Sequence, residues 1–155
     1  MNENVFREYD IRGVVKEDFS KKFVYNLGRA YASFLIDNNQ DKVSISGDIR
    51  NSTLELKINF INGLLDSGLN VYDLGIIPTP VNYFSLFFTD ISNSIQITGS
   101  HNPPEFNGFK LSFNKKPFFG KNIQILKHII KNESYIKSNR KGNLFNLDVY
   151  TDHIN

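Results

Sequence analysis

Apolar residues recur along the chain at two spacings, one typical of helices and one typical of strands. Between residues 20 and 38, and again between 121 and 132, they return every three or four positions, which predicts two amphipathic helices. The side chains predicted to face the core are Phe23, Leu27, Ala30, Tyr31, Phe34 and Leu35 in the first helix, and Ile123, Leu126, Ile129 and Ile130 in the second.

Two further helices are predicted from their start signals. Residues 52–55 read Ser-Thr-Leu-Glu, a capping box in which the Ser52 side chain accepts from the amide of Glu55. Gly68 is placed to end that helix in the left-handed conformation. Thr79 is expected to cap the next helix, with Pro80 in its first turn. The apolar faces predicted for these helices are Leu54, Ile58, Ile61 and Leu65, then Val81, Phe84, Phe87 and Phe88.

Short apolar runs between these helices predict strands over residues 42–46, 70–74, 94–98 and 108–113. Alternation of strands and helices predicts an α/β fold, with a mixed, largely parallel sheet sandwiched between helices. The last two strands form a hairpin-like pair. Residues 132–142 are polar and indicate a linker, and residues 143–155 hold apolar side chains without completing an element.

Composition narrows the class of protein. The chain has 155 residues, 40% of them hydrophobic and 22% charged, which suits one globular domain. A net charge of +2 without a basic, aromatic-interleaved stripe argues against nucleic acid as a partner. The absence of cysteine excludes disulfides and thiolate metal sites. With no apolar run of membrane-spanning length and no recognisable signal peptide, we expect a cytoplasmic protein that does not contact membranes.

The segment most informative about chemistry follows the predicted strand at 94–98. Residues 98–103 read Thr-Gly-Ser-His-Asn-Pro, and Lys110 follows ten positions after Ser100. Ligands of open α/β sheets bind beyond the carboxyl ends of the strands. A phosphorylated serine needs exposure and nearby positive charge, which loop amides, His101 and Lys110 can supply. The alternative is an ordinary surface loop, because Gly, Asn and Pro dominate turns.

Three other segments carry candidate groups. Residues 6–13 contain Arg12, whose guanidinium suits phosphate oxygens, or which instead pairs with Asp10. Residues 48–52 join a strand to a helix and can hold an anion, or Ser52 merely caps the helix while Asp48 pairs with Arg50. Residues 77–81 form a rigid turn. Ser100 beside His101 also raises the alternative of a serine hydrolase, but the Gly-x-Ser-x-Gly motif of many such enzymes is not present.

The sequences of three segments closely resemble motifs of the α-D-phosphohexomutase family. Residues 6–13 read Phe-Arg-Glu-Tyr-Asp-Ile-Arg-Gly, residues 75–80 read Gly-Ile-Ile-Pro-Thr-Pro, and residues 98–104 read Thr-Gly-Ser-His-Asn-Pro-Pro. Together they are similar to the bacterial phosphomannomutase/phosphoglucomutase branch. The resemblance implies an isomerase that interconverts hexose 1-phosphates and hexose 6-phosphates through a phosphoserine and a bisphosphate intermediate.

The resemblance also implies roles for individual residues. Ser100 would carry the phosphoryl group, and Mg²⁺ would bind to it through the phosphate, with its other ligands outside this chain. His101 and Lys110 would be the acid/base and charge-stabilising groups. Substrate contacts would come from Tyr9, Arg12 and Asn102. Glucose 1,6-bisphosphate would prime the serine.

The family enzyme has four domains, and the resemblance covers only the first. Residues 1–135 would be this domain, and residues 136–155 a linker and the start of a second domain. The metal-binding, sugar-binding and distal phosphate-binding loops of the family are not in this sequence, so the chain alone is expected to be inactive and to need the remaining domains. An alternative is a stand-alone phosphosugar-binding or regulatory module. Gly47 also stands where the family usually has arginine, which puts phosphate binding by the Asp48 turn in doubt.

Overall fold

A computed structural model describes residues 1–151 of the chain. The helices are a short 3₁₀ helix at Glu3–Val5, then α1 (Val15–Asp18), α2 (Lys21–Asp37), α3 (Thr53–Asp66), α4 (Thr79–Phe88) and α5 (Lys121–Asn132). The strands are β1 (Ile11–Val14), β2 (Lys42–Gly47), β3 (Asn70–Ile76), β4 (Ser94–Ile97), β5 (Phe106–Phe113), β6 (Lys116–Pro117) and β7 (Leu144–Asn146). The predicted alternation of strands and helices is confirmed.

The strands form one mixed sheet in the order β1-β5-β4-β2-β3-β7, with β6 paired to β5. The pairs β2–β3, β2–β4 and β3–β7 are parallel, whereas β5 runs antiparallel to its neighbours β1, β4 and β6. Every strand except β5 therefore points the same way, as the predicted largely parallel sheet requires. The antiparallel strand β5 lies between β1 and β4 and pairs with both.

One face of the sheet is apolar and carries the main core. Side chains that point to this face alternate along each strand, and the central ones are Val43, Ile45, Ile95, Ile97, Phe109 and Leu111, all buried. Buried side chains of α2, α3 and α5 join them in a single cluster. The inward faces predicted for α2 and α5 are confirmed, and Ser20 caps α2 by accepting from the amide of Phe23 at 3.1 Å.

Helices α2 and α3 approach each other closely because each has a glycine at the crossing. A Cβ atom on Gly28 would lie 2.4 Å from the carbonyl oxygen of Phe60, and one on Gly63 would lie 2.2 Å from that of Tyr25. Only glycine fits at such a distance, so this pair fixes how α3 lies on α2.

The opposite face of the sheet is polar and buried beneath α4. Asn82 of α4 donates to the Ser46 hydroxyl at 2.7 Å and accepts from the Ser94 hydroxyl at 2.8 Å. The Ser46 hydroxyl donates to the Gln96 side chain, which donates to the carbonyl of Ile77 at 2.8 Å. Hydrogen bonds therefore connect these side chains, whereas the hydroxyl of Ser112, which is buried on the same face, has no hydrogen-bond partner among the described residues.

The apolar faces predicted for α3 and α4 are right only in part: Ile61 is buried, and Leu65 and Val81 are partly buried against the apolar clusters. Leu54 and Ile58 of α3 are exposed, and its buried side chains include Leu56, Phe60, Ile61 and Leu64. In α4, Phe84, Phe87 and Phe88 are each at least 60% exposed, whereas Asn82, Ser85 and Leu86 are buried. The physical reason for α4 is the polar face beneath it, which accepts the helix's amide and hydroxyl side chains and leaves its aromatic side outside.

Two predicted caps also differ in the structure. Ser52 makes no side-chain capping bond to α3, because its hydroxyl accepts from the Asn107 side chain at 2.8 Å, so the predicted capping box is wrong. The N-cap of α4 is Pro78 rather than Thr79, although Pro80 lies in the first turn as predicted.

The segment that begins at residue 143 forms a regular strand that the sequence did not predict. Leu144–Asn146 is strand β7 and extends the sheet beside β3, so the expectation that no element is completed there is wrong. Val149 is buried against Leu74 and Ile77. Of residues 143–155, those from 152 onward lie outside the described residues. Within residues 1–151, none of the helices is long and apolar enough to cross a membrane.

Candidate active site

The loop that carries Ser100 connects β4 to β5 at the carboxyl end of β4. Thr98 begins the loop and donates its amide to the carbonyl of Gly108 at 3.0 Å, which closes the hairpin below it. Ser100 is exposed and has φ of 55°, a left-handed conformation that costs a non-glycine residue free energy. The surrounding structure therefore holds the serine outward in a specific conformation.

Amides in this turn bond within the protein. The amide of Gly99 donates to the Asp48 carboxylate at 3.1 Å, and the amide of Ser100 donates to the Thr98 hydroxyl at 3.0 Å. Both amides have acceptors within the protein in this structure, so neither is free for a phosphate here. Their physical role is to fix the turn.

Asp48 links the loop to the start of α3. Its carboxylate accepts from the Thr53 hydroxyl at 2.7 Å and from the amide of Arg50 at 3.1 Å, besides the amide of Gly99. This carboxylate therefore stabilises both the helix start and the Ser100 loop.

Arg50 lies directly against the loop. Its guanidinium donates to the carbonyl oxygens of Pro103 at 2.7 Å, Phe106 at 3.0 Å, Ser100 at 3.1 Å and Asn102 at 2.6 Å. The expected pairing with Asp48 is also present, at 3.5 Å from Nε. Sequence reasoning assigned Arg50 only that pairing and missed its contacts with the loop.

Asn107 secures the other end of the loop. It is fully buried, and its side-chain amide donates to the Ser52 hydroxyl at 2.8 Å and to the Thr53 hydroxyl at 3.1 Å. No local pattern in the sequence indicated that Asn107 would bond to partners more than fifty residues away. The loop is thus held to the β2–α3 turn at both ends.

Two cations project from the strands beside the loop. Arg12 of β1 pairs in register with Gly108, and Lys110 of β5 pairs with Gln96. Because residues 108 and 110 share one face of β5, both cations lie on the polar face of the sheet. They converge on Asp10, whose carboxylate is 2.8 Å from Arg12 and 3.9 Å from Lys110. The pairing of Arg12 with Asp10 considered from the sequence is therefore present.

The remaining predicted site residues lie on both sides of the loop. His101 is exposed next to Ser100, and the Asn102 side chain donates to the carbonyl of Gly99 at 3.0 Å. Tyr9 is 73% exposed and stacks on Phe119, with ring centroids 6.2 Å apart. On α4, burial and the negative charge of Asp10 raise the pKa of the Tyr83 phenol above its usual value of 10.0. Tyr83 therefore remains a neutral hydroxyl near this charge cluster.

A magnesium ion needs several oxygen ligands, so we tested whether this chain supplies them. Among residues 1–151 there is no group of three or more His, Cys, Asp or Glu side chains placed to hold a metal ion. The expectation that Ser100 would bind Mg²⁺ through its phosphate, with the other ligands outside the chain, stays a prediction.

Comparison with known proteins agrees with this arrangement. Residues 3–137 match the family model described as phosphoglucomutase/phosphomannomutase, alpha/beta/alpha domain I. The chain is 33% identical to a phosphoglucomutase of Neisseria gonorrhoeae, over 97% of this chain and 34% of that protein. It is 38% identical to a phosphomannomutase/phosphoglucomutase of Pseudomonas aeruginosa, over 83% of this chain and 28% of that protein.

A solved structure gives the same result at the level of the fold. A phosphoglucomutase/phosphomannomutase family protein of Burkholderia thailandensis superposes with a TM-score of 0.91 at 31% identity, covering 99% of this chain and 35% of that one. The chain thus spans about a third of the length of the relatives that it matches. It belongs to the phosphoglucomutase/phosphomannomutase family and corresponds to the family's α/β/α domain I.

Proposed function

We propose that Ser100 is the phosphoryl carrier of a phosphohexomutase that interconverts hexose 1-phosphates and hexose 6-phosphates. The observation that carries this proposal is the conformation of Ser100, which is exposed with φ of 55° at the carboxyl end of β4 while the loop around it is fixed by hydrogen bonds. Exposure and a fixed loop are what a nucleophile needs for transfer to an oriented acceptor.

The proposed reaction consists of two transfers through the same serine. A hydroxyl oxygen of the sugar phosphate attacks the phosphorus on Ser100, a new O–P bond forms and the Oγ–P bond breaks. The proton of the sugar hydroxyl passes to the enzyme, and Oγ regains a proton. The hexose bisphosphate then turns round, and its other phosphoryl group returns to Ser100 by the reverse step, so atoms and charge balance over the cycle.

Lys110 and His101 fit the charge-stabilising and proton-transferring roles in this scheme. Lys110 lies two residues beyond Gly108, which closes the base of the loop, and His101 is exposed next to Ser100. A positive charge placed before the reaction stabilises the transferring phosphoryl group without reorganisation. We assign contacts with the phosphoserine region and the substrate to Arg12, Tyr9 and Asn102.

We also infer a dependence on Mg²⁺, which would neutralise charge on the phosphoryl group. The contribution of this chain to the metal would be a phosphate oxygen on Ser100, since residues 1–151 supply no three-ligand group. Further domains, as expected from relatives about three times longer, would bring the other ligands and the groups that read the sugar. The lack of cysteine suits a reducing compartment, and we place the protein in the cytoplasm.

Covalent labelling tests the assignment of the carrier. The full-length protein that carries this domain is incubated with glucose 1,6-bisphosphate and Mg²⁺, and phosphorylation is followed by intact mass and peptide mapping. The expected result is one phosphoryl group on Ser100, none in Ser100→Ala, and unchanged labelling in Ser134→Ala, which alters an exposed serine elsewhere. A phosphopeptide that maps to Ser94 or Ser112 would overturn the assignment, and a full-length protein that takes no label at all would contradict the proposed function.

A further inference from the structure

The four carbonyl contacts of Arg50 form a binding site inside the protein for a single guanidinium. The side chain is only 17% exposed, and both terminal nitrogens donate to two carbonyl oxygens each. A guanidinium has five donors in a rigid plane, so it can satisfy several fixed carbonyls at once, whereas a lysine ammonium has three donors around one point. The loop's carbonyls thus converge on this one side chain.

The base of Arg50 is fixed as well. Its amide donates to one oxygen of Asp48 at 3.1 Å, and its Nε lies 3.5 Å from the other oxygen. Asp48 in turn bonds to Thr53 at the start of α3. Asp48 therefore fixes Arg50 relative to α3, and the hydrogen bonds of the guanidinium fix the loop relative to Arg50.

Gly99 leaves the space that the guanidinium fills. A Cβ atom at Gly99 would lie 2.1 Å from Cζ of Arg50 and 2.3 Å from Nε, far inside van der Waals contact. Gly99 is not among the residues with positive φ, so its backbone conformation does not by itself require glycine. A Cβ at this position would therefore displace the guanidinium from the position that it holds here.

We propose that Arg50 is a positioning residue for Ser100 and that Gly99 leaves room for its guanidinium. The guanidinium holds the carbonyl of Ser100 and those of three residues that follow it, so it fixes the left-handed conformation that points Oγ outward. This role rests on the proposed function only for its catalytic consequence. The positioning of the loop itself is a property of this chain alone.

The first measurement reports loop order and needs no activity. Amide hydrogen exchange is followed by NMR in the wild type, Arg50→Ala, Arg50→Lys and Gly99→Ala. Removal of one charge-assisted hydrogen bond raises the equilibrium constant for local opening by about tenfold. The amides of Gly99 and Asn102 should therefore exchange at least about tenfold faster in Arg50→Ala and Gly99→Ala. Arg50→Lys should recover only part of the protection. Arg140→Ala, at an exposed arginine, should leave these amides unchanged.

A double variant isolates the link between the two residues. If Gly99 serves only to leave room for the guanidinium, Gly99→Ala should have almost no effect once Arg50 is already alanine. Equal effects of Gly99→Ala in both backgrounds would overturn the proposed pairing. Unchanged exchange of the loop amides in Arg50→Ala, or a loss of protection spread through all strands, would overturn the positioning role.

The second measurement connects loop order to chemistry. The rate of Ser100 labelling by glucose 1,6-bisphosphate should fall by about 100-fold in Arg50→Ala, since a nucleophile misplaced by about 1 Å loses about that much. Added methylguanidinium should restore part of the rate in Arg50→Ala but not in the Arg50→Ala/Gly99→Ala double variant, where the new Cβ fills part of the vacated space. Normal labelling of Arg50→Ala would overturn the proposal. If the wild type takes no label, the proposed function fails, while the exchange data still decide the role of Arg50.

Discussion

The ammonium of Lys110 lies 3.9 Å from the carboxylate of Asp10, a side chain that is almost fully buried. The same carboxylate also accepts a 2.8 Å hydrogen bond from Arg12. One negative charge therefore faces two positive charges in the described structure, which leaves a net positive charge beside the Ser100 loop. An incoming phosphate would meet cations that are already held in place.

Replacement of Lys110 tests whether this charge acts on the transferring group. In Lys110→Ala, the maximal rate of Ser100 labelling should fall by about 100- to 1,000-fold, as when a preorganised donor to a developing charge is lost. The concentration of bisphosphate that gives half the maximal rate should change much less. Lys115→Ala removes an exposed cation from the β5–β6 turn and serves as the control. A maximal rate within about threefold of the wild type would indicate that Lys110 only shields the strand.

Sustained turnover by this chain alone is not expected. Phosphoryl transfer depends on positioning and charge neutralisation, and residues 1–151 supply no three-ligand metal group. A coupled assay with mannose 1-phosphate or glucose 1-phosphate should therefore detect no mutase activity above that of Ser100→Ala. Robust conversion by residues 1–155 would contradict this prediction and favour an oligomer that completes the site.

The hydrogen bonds of Asn82 should contribute strongly to stability. In Asn82→Ala, the buried hydroxyl of Ser94 loses its acceptor and that of Ser46 loses a donor. Leaving such groups unpaired should lower the free energy of unfolding by about 2–3 kcal/mol, measured by urea denaturation. Asn132→Ala, at the exposed end of α5, should change it by less than about 0.5 kcal/mol. A loss below about 1 kcal/mol in Asn82→Ala would show that the polar layer adapts.

The outer aromatic side chains of α4 should matter little to the stability of this domain. Phe84 is 60% exposed and Phe87 is 65% exposed, so Phe84→Ala and Phe87→Ala should each shift the free energy of unfolding by about 0.5 kcal/mol or less. Phe60 is fully buried, and Phe60→Ala should cost about 3–5 kcal/mol. Equal losses in the three variants would mean that α4 buries its aromatic face after all.

The hydrogen bond between Tyr25 and Asp66 should make stability depend on acid. The Tyr25 hydroxyl donates at 2.6 Å and lowers the pKa of Asp66 below its usual 3.8, with a further contribution from Lys141. A carboxyl with a lowered pKa in the folded state stabilises the fold above about pH 4, and this contribution is lost as the pH falls through the folded pKa.

Urea denaturation of the wild type and Tyr25→Phe at several pH values measures this contribution. The stability difference between them should be largest near neutral pH and should shrink below about pH 4. Tyr150→Phe, at a tyrosine that is 55% exposed, provides the control. A difference that stays constant down to about pH 2 would assign the effect to packing rather than to Asp66.

Much of the fold could be predicted because its signals are local. The inward faces of α2 and α5 and the hairpin around Ser100 follow from spacing within a few residues. Side-chain placement failed where the decisive partner is distant in sequence. Ser52 has the right neighbours for a capping box, but its hydroxyl accepts a hydrogen bond from the Asn107 side chain instead.

The error at α4 has a different cause. Its phenylalanines have the spacing of a core-facing stripe, so the sequence pattern predicts that they are buried. The strands beneath offer Ser46, Ser94 and Gln96 instead. A helix is oriented by the surface that it covers, and that surface is assembled from strands far apart in the sequence. Arg50 was underestimated for the same reason, because its four acceptors lie fifty or more residues further along the chain.

The reversed direction of β5 has a mechanical consequence for any larger protein that contains this domain. Ser100 follows β4 and Lys110 lies on β5, and these two strands form one hairpin. Their hydrogen bonds extend to the bond between the Thr98 amide and the Gly108 carbonyl. A hinge motion that opens or closes a cleft above the domain carries both side chains as one rigid body. Such a motion can change their distance to a sugar held elsewhere, but it leaves their mutual geometry intact throughout a catalytic cycle.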